Sequence, residues 1–128
     1  MGNIQSKALV DIILENMKQC VESGNFIILN RDNNRYFITE YSVSEAMQQE
    51  ILLGLTTDDY CESEPSDKIP GSYINIFGRN LELVNSEGST VLVNMYIKFE
   101  IIEKPDITRT VFISFHEVEY PLSFPFRT

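Results

Sequence analysis

The sequence reads as an α+β protein in which N-terminal helices pack on a curved antiparallel β-sheet. Three observations carry that reading. Apolar residues recur at helical spacing near the start, β-branched and aromatic runs with period-two alternation fill the second half, and turn-forming residues punctuate those runs at Gly78, Ser86–Ser89 and Glu103–Asp106. At 128 residues with 43% hydrophobic content, the chain suits a single domain over 1–128, whose one core buries roughly 65% of the unfolded surface.

Between Gln5 and Glu22, residues Ala8, Leu9, Ile12, Ile13, Met17, Cys20 and Val21 share one helical face, and Gly24 follows as a C-terminal cap. Asn25–Leu29 and Arg35–Ile38 are β-type runs around the turn-rich Asn30–Asn34, which predicts a hairpin. Ser42-Val-Ser-Glu45 is a capping-box pattern opening a second helix through Ala46, Met47, Ile51 and Leu52, closed by Gly54. Thr57-Asp-Asp-Tyr60 predicts one short helical turn, because threonine caps well and acidic residues suit a helix N-terminus. Cys61 to Gly71, acidic and broken by Pro65 and Pro70, reads as a loop. A meander follows, with strands at Tyr73–Phe77, Asn80–Asn85, Val91–Ile102 and Thr110–His116.

Composition excludes several classes. Cys20 and Cys61 lie far apart with no metal-ligand spacing, which points to free thiols in a reducing cytosol, with no zinc site and no disulfide framework. No apolar run is long enough to span a membrane, and the opening residues lack a signal-peptide layout, so a cytoplasmic protein without membrane partners is expected. Met1-Gly-Asn-Ile-Gln-Ser6 fits the N-myristoylation pattern, a loose motif with meaning only where the transferase is present. The net charge of −9 repels phosphate backbones unless cations are gathered locally.

Alternation assigns the faces of the last two strands. Met95, Ile97, Phe99 and Ile101 point one way and Tyr96, Lys98 and Glu100 the other; in the final strand Val111, Ile113 and Phe115 share a face, leaving Phe112, Ser114 and His116 opposite. With both apolar sets on one core, a turn near Asp106 pairs Ile97 with Phe115 and Phe99 with Ile113. The same register sets Tyr96 opposite His116 and Lys98 opposite Ser114, about 5 Å apart at Cβ. His116, the sole histidine, thus ends a strand among groups able to move protons or hold a phosphate.

Ile51-Leu-Leu-Gly-Leu-Thr-Thr-Asp-Asp-Tyr60, Ile76-Phe-Gly-Arg79, Met95-Tyr-Ile-Lys-Phe99, Ile113-Ser-Phe-His116 and Glu119-Tyr-Pro-Leu122 together resemble the MqsR-like toxins of bacterial toxin-antitoxin modules. The resemblance covers about two-thirds of the chain. It implies a RelE-like fold and a metal-independent, cofactor-free ribonuclease that cuts single-stranded messenger RNA and arrests growth until a cognate antitoxin protein binds. The family's third-strand tyrosine falls on Tyr96, and the basic residue closing its serine-phenylalanine strand falls on His116. A family lysine falls near Glu62, which reverses the charge, so Arg79 and Lys98 become the phosphate-holding candidates. The family's glutamine has Asn75 as its nearest polar counterpart.

Metal-free RNA cleavage uses the substrate's 2′-hydroxyl as nucleophile, so the protein must supply a base, an acid and cations at the phosphorane. His116 serves as acid or base, Tyr96 as a hydrogen-bond donor, and Lys98 and Arg79 as charges, with Tyr60, Phe112 and Tyr120 as faces for base stacking. The bland assignments stand beside these: a hydrogen-bonded structural histidine, a solvated strand face at Tyr96 and Lys98, a turn arginine at Arg79, and an apolar strap packed on the core at Tyr120–Phe126. Three functions fit: the ribonuclease toxin, a catalytically silent relative whose acidic surface binds a basic protein in phage or host defence, and an unrelated α+β protein that binds a partner through its hairpin.

Overall fold

The computed structural model describes residues 2–127. Its elements run α1 (Lys7–Glu22), β1 (Phe26–Ile28), α2 (Asp32–Glu40), α3 (Glu45–Leu53), a 3-10 turn at Thr57–Asp59, β2 (Tyr60–Pro65), β3 (Tyr73–Val84), β4 (Thr90–Glu103) and β5 (Thr108–Glu117). The fold is α+β: helices pack on one five-stranded sheet of order β1-β5-β4-β3-β2. Strands β2 to β5 form an antiparallel meander, and β1 adds a parallel pair with β5, so the sheet is mixed. Met1, and with it the start of the lipidation pattern, lies outside the described residues. No described helix is long and apolar enough to cross a membrane.

Helix α1 forms over the expected span, but its inner face differs from the expected one: Ala8, Leu9 and Ile12 are exposed, while Val10 and Leu14 are buried with Met17, Cys20 and Val21. The Ser6 side chain accepts from Leu9 N at 3.2 Å, and Gly24 follows at φ +79°. The expected hairpin over 25–38 is absent. β1 stops at Ile28, and Arg35–Ile38 belongs to α2, where Phe37 packs on Tyr41 and Phe115 with ring centroids 5.0 and 5.6 Å away. Tyr-Phe-Ile is β-favouring, yet Asp32 suits a helix start and packing of the Phe37 face overrides local propensity. The cap of α3 is Ser44, whose hydroxyl accepts from Met47 N at 3.2 Å; Ser42 instead turns the chain at φ +47°.

Two further expectations change at the far side of the sheet. The acidic stretch after Tyr60 is an edge strand rather than a loop, and edge position is where its terminal Pro65 is tolerated. Its free edge is partly closed by paired backbone bonds between Asn3 and Ser63. Gly78 does not break β3; it is buried mid-strand, where a Cβ would stand 2.6 Å from Leu122 Cδ1 and 2.9 Å from Phe124 Cζ. The glycine admits a crossing chain.

Between β4 and β5 the expected pairs Ile97–Phe115, Tyr96–His116 and Lys98–Ser114 all form. Phe99, however, faces Phe112 rather than Ile113, because Ile113 is an extra residue at a β-bulge. The bulge reverses the inward parity: Phe112 and Phe115 both enter the helix-covered core, and Val111 and Ile113 are left half-buried. Phe112 is therefore removed from the outer face. Inside, Phe77, Phe99, Phe112 and Phe26 form a continuous aromatic row with successive centroids 5.5, 5.5 and 6.0 Å apart.

The cap assignment has a direct test. Ser44→Ala is expected to lower the urea-unfolding free energy by about 1 kcal/mol, while Ser42→Ala changes it by less than about 0.5 kcal/mol.

Candidate functional site

The sheet face turned away from the helices carries polar side chains in cross-strand rows. One row runs Gly78, Tyr96, His116; the next runs Glu62, Ile76, Lys98, Ser114; a third contains Glu64, Ile74 and Glu100. The C-terminal tail crosses part of this face, with Leu122 and Phe124 packed on Cys61, Ile76 and Tyr96. It ends with Phe126 stacked on Tyr60 at 5.6 Å and Arg127 bound to the Asp59 carboxylate at 3.0 Å. The strap expected at Tyr120–Phe126 is present, mainly on the outer face.

His116 is half-buried and its ring stacks on Tyr96, with centroids 5.6 Å apart and planes 24° from parallel. Its Nδ1 lies 2.7 Å from the Glu117 carbonyl oxygen. A carbonyl only accepts, so Nδ1 carries the proton of the neutral ring and Nε2 keeps its lone pair. The Tyr96 hydroxyl accepts from Tyr120 at 3.3 Å. Burial first, then the neighbouring Tyr120 and nearby Glu64 and Glu62, push the Tyr96 phenol far above the usual tyrosine range. Tyr96 can donate a hydrogen bond and cannot serve as a base near neutrality.

Lys98 shares this face and makes no ion pair among the described residues. It stands beside Glu100, which is 7% exposed and whose Oε2 has no hydrogen-bond partner. With Glu62 and Glu64 on the edge strand β2, beyond β3, the face holds more carboxylates than cations. Among the described residues, no three His, Cys, Asp or Glu side chains converge as a metal site.

Four expected site residues lie elsewhere. Arg79 pairs with Met95 on the helix-covered side and donates from Nη1 to the Ile51 carbonyl at 2.6 Å, its charge complementing the C-terminal end of α3. Asn75 is 3% exposed and accepts from Ser63 Oγ at 2.7 Å; that hydroxyl also meets Tyr60 Oη at 2.8 Å. Tyr60 and Phe112 are fully buried core aromatics, closed to base stacking. Tyr120 alone of the stacking candidates is exposed. The structure thus gathers His116, Tyr96, Lys98 and Tyr120 and disperses Arg79, Asn75, Tyr60 and Phe112.

In place of those four, α2 contributes residues that the hairpin reading concealed. A cleft of about 330 Å³ lies between the start of α2 and β5, lined by Arg31, Asp32, Asn33, Ser114 and His116. A second, of about 290 Å³, shares Asn33 and His116 and includes Tyr36, whose ring is exposed. The available sequence signal was Asp32, a favoured helix-start residue, within the stretch read as a turn. No protein-family model and no curated protein matches the chain.

Two groups tie alkaline stability to this region. Burial pushes the Cys61 thiol up to about 12, while donation to Glu117 Oε1 at 2.6 Å and burial push the Tyr41 phenol up to about 12. Each pKa is raised on folding, so their contribution is intact below about pH 9 and falls as pH rises toward 12. Tyr41→Phe is expected to flatten the stability profile between pH 10 and 12, measured by urea unfolding across that range. Cys61 is expected to resist iodoacetamide at pH 8 in the folded protein, and Gly78→Val, by displacing the tail, to expose it.

Proposed function

We propose that this chain is a metal-independent endoribonuclease acting on single-stranded RNA, the cytoplasmic toxin of a toxin-antitoxin pair in the manner of the MqsR-like, RelE-like proteins it resembles. The observation that carries the reading is the orientation of His116. Nδ1 is engaged by a backbone carbonyl 2.7 Å away, the ring is stacked on Tyr96, and Nε2 remains available beside a polar cleft.

The reaction follows from those groups. Nε2 of neutral His116 takes the proton from a ribose 2′-hydroxyl; the 2′-oxygen attacks phosphorus as the P–O5′ bond breaks, and the departing 5′-oxygen takes a proton from water, leaving a 2′,3′-cyclic phosphate. Tyr96, held as a neutral phenol, donates to a non-bridging phosphate oxygen, and Lys98 places charge on the same face. Tyr120 offers an exposed ring to a base. A basic antitoxin would complement the carboxylates of Glu62 and Glu64.

Those carboxylates also favour a second reading, a catalytically silent relative that binds a basic protein. Incubation with single-stranded RNA in EDTA separates the two. Cleavage to 2′,3′-cyclic ends, reduced by ~10² to 10⁴ in His116→Ala, is the expected result. Intact RNA under all conditions removes the ribonuclease and leaves the acidic binding surface.

A further inference from the structure

We propose that the cleft between α2 and the chain leaving β5 is a nucleobase-binding site, in which a base stacks on the Tyr36 ring and the Asn33 carboxamide reads its edge. The identity of the natural ligand, single-stranded RNA, rests on the ribonuclease reading. The capacity to hold a base rests on the cleft itself.

Asn33 and Tyr36 stand three residues apart on α2, so their side chains share one helix face, while the next residue, Phe37, turns into the core at 1% exposed. The opposite wall is Glu117, Val118 and Glu119, and the space between is about 290 Å³. Three bonds fix these walls before any ligand arrives. Asn33 Nδ2 donates to Glu119 Oε1 at 3.0 Å, Tyr41 Oη donates to Glu117 Oε1 at 2.6 Å, and Val118 N donates to the Asn94 carbonyl at 2.9 Å. Walls already held in place need little further ordering on binding. The volume is that of a small ligand cleft, enough for one planar ring system.

A solitary exposed tyrosine is ordinary. Tyr36 differs in its company: its ring, 68% exposed, lines the same cleft as Phe37, Val118 and His116, the combination of apolar wall and few polar groups that receives a flat ligand. Having given one N–H to Glu119, the Asn33 carboxamide keeps a second N–H and its Oδ1, a donor and an acceptor side by side to match a base edge. The carboxylates of Glu117 and Glu119 repel a phosphate from this space, so the neutral base, not the backbone, is the part that enters. His116 lines both this cleft and the one beside Arg31, so a base on Tyr36 brings the adjoining ribose to the ring that takes the 2′-proton. Tyr120 does not line this cleft, and the two exposed rings hold different bases.

The test is a titration of ¹⁵N-labelled full chain with adenosine, cytidine and ribose, followed by cleavage kinetics on single-stranded RNA in EDTA. The two nucleosides are expected to give saturable shifts centred on the Asn33, Tyr36, Val118 and Glu119 amides, whereas ribose does not. Tyr36→Ala should weaken nucleoside binding about tenfold, as for loss of one base–aromatic stack, and Tyr36→Phe should retain it. In cleavage, Tyr36→Ala should raise KM about tenfold and leave kcat nearly unchanged, the split expected when ground state and transition state lose the same contact. The exposure of Tyr36 makes both variants safe for folding. Shifts absent at these amides, or nucleoside affinity unchanged in Tyr36→Ala, overturn the base site. If nucleosides bind as described and RNA stays intact, the base site stands and the ribonuclease reading falls. If RNA is cleaved while Tyr36→Ala alters neither the titration nor KM, the base site falls and the ribonuclease reading stands.

Discussion

The carboxamide of Asn34 joins the two halves of the molecule. Buried in the first turn of α2, it donates from Nδ2 to the Leu29 and Ile113 carbonyls at 3.0 and 3.1 Å and accepts from Phe115 N at 2.8 Å. β1 ends opposite Phe112, so beyond that point the edge of β5 has no strand to pair with. Asn34 satisfies those backbone groups in the strand's place, where an unpaired buried N–H or C=O costs about 1–3 kcal/mol. It grips β5 on either side of Ser114, at the bulged residue Ile113 and at Phe115. The bulge allows Phe112 and Phe115, three residues apart, to face the same core while Ser114 and His116 face outward. One side chain thereby fixes core parity, the position of α2 and the surroundings of the histidine.

The outer face carries more carboxylates than cations. Its open rows hold Glu62, Glu64 and Glu100 beside a single lysine, which opposes a phosphate backbone lying across the sheet. At the β5 edge Arg31 and Asp32 both line the cleft beside His116, so one cation and one carboxylate meet there. The tail adds a separate constraint. By lying over Gly78 and Tyr96 it desolvates the phenol and holds it neutral.

What the sequence made legible were features written in short-range chemistry. The extent of α1 and the glycine after it follow from spacing, although its inner face is rotated to bury Val10 and Leu14 and expose Leu9 and Ile12; the pairs Tyr96–His116 and Lys98–Ser114 follow from alternation, because they lie on the turn-distant side of the bulge where simple parity holds. Phe112 was misplaced because one inserted residue, Ile113, reverses parity and leaves no local compositional mark. α2 was hidden because Arg35–Ile38 favours strand by propensity, and only Phe37 packing with the Asn34 bonds decides otherwise. Arg79 was misassigned for a related reason: the strand was broken at Gly78, so its continuous alternation, which sends Arg79 to the helix side, was lost.

If Asn34 is the clasp that holds β5 and thereby presents His116, the Phe115 amide reports on it most directly. Native-state hydrogen exchange should show this amide protected to nearly the level of Phe99 in the central strand. In Asn34→Ala its protection should fall about tenfold or more relative to Phe99, as expected for a lost buried hydrogen bond. A Phe115 amide that exchanges freely in the native protein, or keeps its protection relative to Phe99 in the variant, would contradict the account.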